Sequence, residues 1–172
     1  MNIIILKFCS YPIYEGLYKI TGVTEVMKVS TRVEYGLIAL TDIVIHSENG
    51  GSVSAPEIAQ RQNISHKYLE HILLLLRQAG FIVAQKGLRG GYLLTRSPEE
   101  IKLADVLNAL DSNILADVDD KKEEGELRSI INERFWDRIN DNLNRFTKEL
   151  NMRDFADGCL SSFSDAWDLY VI

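Results

Sequence analysis

"ISHKYLEHILLLLRQAGFIVAQKGLRGGYLLT" runs from Ile64 to Thr95 and decides how the rest of the chain is read. Its first half has the pattern of a helix. Ser65 is placed to cap it, and Leu69, Ile72, Leu73 and Leu76 follow at i, i+3, i+4 and i+7, the stripe of a core-facing helix. Leu74 and Leu75 widen that stripe, which predicts packing on two sides. Gly80 suits the left-handed residue that ends a helix. The second half holds two short apolar runs, "FIVAQ" and "YLLT", joined by "KGLRGG". That is the pattern of a hairpin whose glycines supply positive φ.

Upstream, Ser54-Ala55-Pro56-Glu57 fits a capping box with Pro near the first turn. It opens a short helix over Ala55–Arg61, with Ile58 and Ala59 facing inward and Asn63 supplying the turn. Before it, Thr31-Arg32-Val33-Glu34 fits another capping box, with Thr31 as N-cap. The helix that follows carries Val33, Leu37, Leu40 and Val44 on one face and ends at the turn residues Ser47–Ser52. Downstream, "SPEEIKLADVLNALD" gives a turn and a short helix with Leu103, Val106, Leu107 and Leu110 as its apolar positions.

The charged, loop-like "ADVDDKKEEGE" (Ala116–Glu126) then separates this part from a long helical pattern. Leu127, Ile131, Phe135, Ile139, Leu143, Phe146 and Leu150 recur every three or four residues. A helix over Leu127–Leu150 would span about 36 Å. Such a stripe, beyond the compact part, needs a partner. A second copy of the chain is the simplest, and folding back on its own domain is the alternative. The organisation is therefore a compact helix-and-hairpin domain over 27–112, a charged linker over 113–126, and a candidate dimerisation helix with a C-terminal segment over 127–172. Residues 1–26 have no basic region or small-residue cleavage site to suggest a signal peptide, and Met27 opens "MKVSTRVEYG" like a natural start. They read as an N-terminal extension or the product of a misplaced start.

Of the 172 residues, 46% are hydrophobic, enough for a real core, and the net charge is −6. That average hides an asymmetry. Between Ser52 and Arg96 six basic residues (Arg61, Lys67, Arg77, Lys86, Arg89, Arg96) face two acidic ones (Glu57, Glu70), a net of +4. From Ser97 onward nine basic residues face eighteen acidic ones, a net of −9. The pattern suggests a polyanion-binding part joined to a part that need not touch the polyanion. Cys9 and Cys159 lie far apart and form no disulfide framework, which points to a reduced, cytoplasmic protein. No apolar run nears the length of a membrane-spanning helix, so no membrane partner is expected.

Helix, short helix, turn, longer helix and hairpin form the order of a winged helix-turn-helix. The expected fold is mainly α with a small β hairpin. A helix fits the DNA major groove and meets base edges with its N-terminal residues. Here that end carries Ser65, His66, Lys67, Glu70 and His71. Lys67, Glu70 and His71 fall away from the apolar stripe. Lys67 suits guanine or a phosphate, and Glu70 can accept from cytosine N4. The hairpin tip would bring Lys86 and Arg89 to the backbone or a minor groove, with Gly87, Gly90 and Gly91 allowing close approach. Each feature alone has a plainer reading. Helix-turn-helix spacing occurs in many helical pairs, "GLRGG" suits an ordinary turn, and His66 and His71 suit a polar surface. Five apart, the two histidines do not form an i, i+4 metal pair. The combination with the local basic excess is much more specific.

"KVSTRVEYGLIAL", "APEIAQRQNISHKYLEHILLLLRQAGFIV", "KGLRGGYLL" and "PEEIKLADVLNALD" resemble the bacterial Rrf-two regulator family, which includes IscR, NsrR and CymR. The resemblance is dense from Met27 to about Asp111 and looser through "FWDRINDNLNRFTKELNMRDFAD". It implies a homodimeric winged-helix transcription factor, usually a repressor, with a long dimerisation helix. It places base contacts on Ser65, Lys67, Tyr68, Glu70 and His71, and the minor-groove wing on Lys86, Gly87, Leu88, Arg89 and Gly90. Lys28 and Ser54 complete the expected DNA contacts. Cluster-binding members carry three cysteines before the dimerisation helix. "SNILADVDDKKEEGELRSI" has none, so the chain resembles a cluster-free, CymR-like member, with no cofactor or metal expected. In that branch the signal enters through a partner protein, such as a metabolic enzyme, or another input.

Two other classes compete. An enzyme is disfavoured, since the chain holds no GxSxG, P-loop or HExxH motif. A winged helix used purely as a protein-interaction module, binding a metabolic enzyme, has no use for the +4 excess; DNA does.

Overall fold

A computed structural model describes residues 29–47, 50–87, 90–112, 114 and 125–168, with backbone alone beyond 162. The 1–26 extension and most of the 113–126 linker lie outside the described residues.

Helix α1 (Thr31–His46) starts from Ser30, whose side chain accepts from the Val33 N–H at 3.4 Å. The cap is thus Ser30, one residue before the expected Thr31, because Ser30 is the residue with extended backbone. Val33, Leu40 and Val44 are buried, and Leu37 packs partly against them. Helix α2 (Ala55–Gln62) forms the expected capping box, with Ser54 and Glu57 exchanging both bonds. Asn63 makes the turn with a left-handed φ of 51°. Helix α3 (His66–Gln78), capped by Ser65, buries Leu69, Ile72, Leu73 and Leu76 completely. Leu74 is 38% exposed and Leu75 half-buried, so they widen the stripe less than expected, although α3 packs against more than one neighbouring element. Gly80, with φ of 78°, follows its end.

Strand β1 (Ile82–Gln85) pairs antiparallel with β2 (Gly91–Leu94), Ile82 opposite Leu94 and Gln85 opposite Gly91. The hairpin is tied to the entry of α2. Val53 N–H donates to the Tyr92 carbonyl at 3.0 Å and Tyr92 N–H to the Val53 carbonyl at 2.8 Å. Gly91 is needed for that approach, since a Cβ there would lie 2.7 Å from the Val53 carbonyl. A 3-10 turn at Pro98–Glu100 leads into α4 (Leu103–Leu110), whose Leu103, Val106, Leu107 and Leu110 all enter the core.

The long helix begins as α5 (Glu126–Ile131), passes through a π-helical segment at Asn132–Trp136, and continues as α6 (Asp137–Glu149). Its foot returns to the domain. Lys102 and Asn151 form a β-bridge, flanked by Leu103 N–H to the Leu150 carbonyl and Met152 N–H to the Ile101 carbonyl, both 2.9 Å. A helix not singled out in the sequence follows, α7 (Met152–Asp168). Asn151 Oδ1 accepts from Asp154 N–H at 2.9 Å, as a cap does. Met152 and Ala156 are fully buried, so α7 completes the core. Leu150 is buried in this same core and Phe146 packs against it. These two residues of the expected dimerisation stripe therefore serve their own domain, because the chain turns back there.

Between α1 and α2 lies a carboxylate the sequence did not single out. Asp42 is 2% exposed and accepts from Arg61 Nε (3.0 Å) and Nη2 (2.7 Å) and from Gln62 Nε2 (2.7 Å). These bonds offset the cost of taking the charge out of water, and they raise the already high pKa of Arg61.

The α2 cap carries a pH consequence. Ser54 donates to Glu57 Oε2 from its hydroxyl at 2.7 Å and its backbone N–H at 2.9 Å, holding the Glu57 carboxyl below the usual carboxylate range. A lowered folded-state pKa means that the cap stabilises fully above the unfolded value, about 4.3, and is lost as pH falls through the folded value. Denaturation followed by circular dichroism should show Ser54→Ala less stable than the native chain near neutrality, with the difference narrowing as pH falls through the lowered Glu57 value.

Candidate nucleic-acid interface

The spacing that sends Leu69, Ile72, Leu73 and Leu76 inward sends the polar residues of the same turns outward. His66, Lys67, Glu70 and His71 are all exposed on the first two turns of α3. The side chains of His66 and Glu70 are 50% and 59% exposed, and His66 Nδ1 lies 3.6 Å from Glu70 Oε1. Lys67 offers three donors and no acceptor; the Glu70 carboxylate offers acceptors only. The pair of types can distinguish bases as well as bind phosphates.

Tyr68, also among the expected contacts, is less open than its polar neighbours. It is half-buried, with its ring edge-on to Tyr35 of α1 at 5.5 Å and 81°. That packing holds the start of α3 against α1. Ser54 is at the N-terminus of α2, and its hydroxyl is engaged with Glu57.

In the wing, Lys86 is exposed and Gly87 has a φ of 124°, a conformation that side chains disfavour. Gly90 N–H donates to the Gly87 carbonyl at 3.0 Å, closing the loop tightly. Leu88 and Arg89 lie outside the described residues, as does Lys28. Arg96, part of the basic excess but not among the expected contacts, has its guanidinium 5.5 Å from the centre of the Phe81 ring at the root of the hairpin. Its signal was the cation placed just after an apolar strand.

The other expected surface is the long helix. Leu127 is 71% exposed, Phe135 53%, Ile131 45% and Ile139 37%. Leu143 is half-buried. Ile130 and Trp136, absent from the expected stripe, are exposed too, and Trp136 packs edge-on to Phe135 at 4.9 Å. Among the described residues, no group of three or more His, Cys, Asp or Glu is placed to hold a metal ion. No helix among them is long and apolar enough to cross a membrane.

The family model for Rrf2, described as "Iron-dependent Transcriptional regulator", matches residues 29–158. The chain belongs to the Rrf2 family. It is 46% identical over 85 residues to Protein rrf2 of Nitratidesulfovibrio vulgaris, covering 49% of this chain and 56% of that protein. It is 34% identical over 127 residues to the HTH-type transcriptional regulator IscR of Pectobacterium carotovorum, covering 70% of this chain and 76% of that one. Among solved structures it is similar to CymR, the global cysteine regulator of B. subtilis, with a TM-score of 0.66 and 29% identity over 77% of this chain and 98% of that one. It is also similar to T. potens IscR, with a TM-score of 0.62 and 27% identity over 87% and 96%. The chain thus spans little more than half of some Rrf2 relatives and nearly all of others. The named IscR and CymR relatives are regulators, not enzymes. The winged helix-turn-helix inferred from element order is the fold of this Rrf2 protein.

Proposed function

We propose that this Rrf2 protein is a homodimeric, sequence-specific regulator of transcription that binds double-stranded DNA and acts as a repressor. The observation that carries the reading is α3 itself: four inner residues at 0% exposure behind an N-terminal face of His66, Lys67, Glu70 and His71 open to solvent. Buried on one side and polar on the other, it is a rigid rod ready for a groove. A shift assay on genomic fragments over a salt series tests the reading. Binding that neither saturates nor weakens with salt would overturn it.

Two substitutions separate the two kinds of contact. Lys86→Ala in the wing should weaken binding to all sequences alike and lower the salt slope by about one unit. Glu70→Ala should instead lose roughly 1–3 kcal/mol of discrimination at one base pair while leaving or raising non-specific affinity, since a carboxylate repels phosphates. An equal effect of Glu70→Ala on every sequence would recast it as a helix N-terminal charge.

The proposed regulator works without an iron–sulfur cluster, although its family is described as iron-dependent. The chain's two cysteines are Cys9 and Cys159, and none lies between Ser112 and Ile130. Cys159, on α7, cannot replace a set of thiolates. Anaerobically purified protein should be colourless, and stoichiometric iron and sulfide would refute this.

A further inference from the structure

We propose that His66 is a positioning and specificity-determining residue: its protonation holds the Glu70 carboxylate in place and makes base discrimination depend on pH. The inference rests on the DNA-binding reading above. The motive is geometric. His66 and Glu70 are one turn apart on α3, with Nδ1 3.6 Å from Oε1, on the face proposed to meet base edges. On the free protein both are about half exposed, and such a pair contributes little in water.

Docking changes that. In a groove, the pair loses water and gains a field of phosphates. Both the carboxylate and the phosphates favour imidazolium; the positive N-terminus of α3 and the neighbouring Lys67 oppose it. Two negative sources in a partly dehydrated site outweigh one screened lysine and a partial charge. The other ionisable groups on the elements packed against α3 include Arg32, Glu34, Asp42 and His46 on α1, Glu57 and Arg61 on α2, and Asp105 on α4. Among the described residues none of these forms an ion pair with His66 or Glu70; Asp42 is held by Arg61, and Arg32 pairs with Asp111.

DNA binding should therefore take up a proton at His66. A histidine whose proton affinity rises on binding strengthens the complex below its free value and loses that strength as pH climbs through the bound value. With an imidazolium 3.6 Å away drawing one Glu70 oxygen by charge, the other oxygen is left to accept from cytosine N4. Without the proton, the carboxylate is left uncompensated among phosphates and free to turn away.

The test uses the full chain and duplexes selected from a randomised pool. Fluorescence anisotropy is read at about pH 6 and about pH 8, on the selected duplex and on single-base-pair variants. For the native chain, affinity should fall about three- to tenfold from the lower to the higher pH, and discrimination at the Glu70-dependent base pair should fall with it. His66→Gln should show little of either change, and His46→Gln, on α1 and outside the proposed interface, should keep both. A native profile flat in pH, or one that His66→Gln leaves intact, overturns this inference while the DNA-binding reading stands. Failure to select any duplex at either pH overturns both.

Discussion

Phe135→Asp is expected to leave a folded monomer in place of a dimer. Phe135 is 53% exposed in the single chain, so its replacement takes little from the domain's own core. In a two-fold seam the same position occurs twice, and each copy would bury an unpaired carboxylate, costing several kcal/mol. Sedimentation velocity at micromolar concentration should show the native chain as a dimer and the variant as a monomer, with unchanged circular dichroism. A native chain already monomeric at that concentration would sink the idea. Halving the number of bound phosphates should also roughly halve the salt slope of DNA binding.

Asp42→Ala should be the most damaging single change to the helix-turn-helix itself. It removes an acceptor of three hydrogen bonds and leaves Arg61 and Gln62 without their partner. The Arg61 side chain is 32% exposed and can partly rehydrate, which keeps the expected loss to about 2–4 kcal/mol. For a chain of this size that is a fall in Tm of roughly 5–15 °C. Arg61→Ala in the Asp42→Ala background should cost much less than in the native chain, since the two residues act as a pair. Additive losses would mean that the clamp contributes little.

Most of this architecture was legible in the sequence because its signals are local. The α3 stripe, the Ser54–Glu57 box, the Asn63 turn and the hairpin glycines each follow from spacing and backbone preference within a few residues. What escaped was non-local. Asp42 and Arg61 are distant in sequence, and no periodicity announces a buried ion pair. Helix α7 did leave a trace, in Asn151 and Asp154 ahead of Phe155 and Ala156, but its apolar face is interrupted by Gly158 and by serines. The seven-residue stripe looked uniform from Leu127 to Leu150. Only the return of the chain at Lys102–Asn151 shows that its last members, Phe146 and Leu150, belong to the domain core. The exposed polar face of α3 was legible, but not the packing of Tyr68, which depends on Tyr35 in another helix.

The same return has a mechanical meaning. The foot of the long helix is clipped to the start of α4 by two backbone hydrogen bonds pointing in opposite directions, one on each side of the Lys102–Asn151 bridge. A clip of this kind resists tilting far better than a single hinge bond would. Helix α4 in turn packs on both α1 and α3. The foot of the long helix and α3 are thus joined through a packed helix and paired backbone bonds, not through a lone loop.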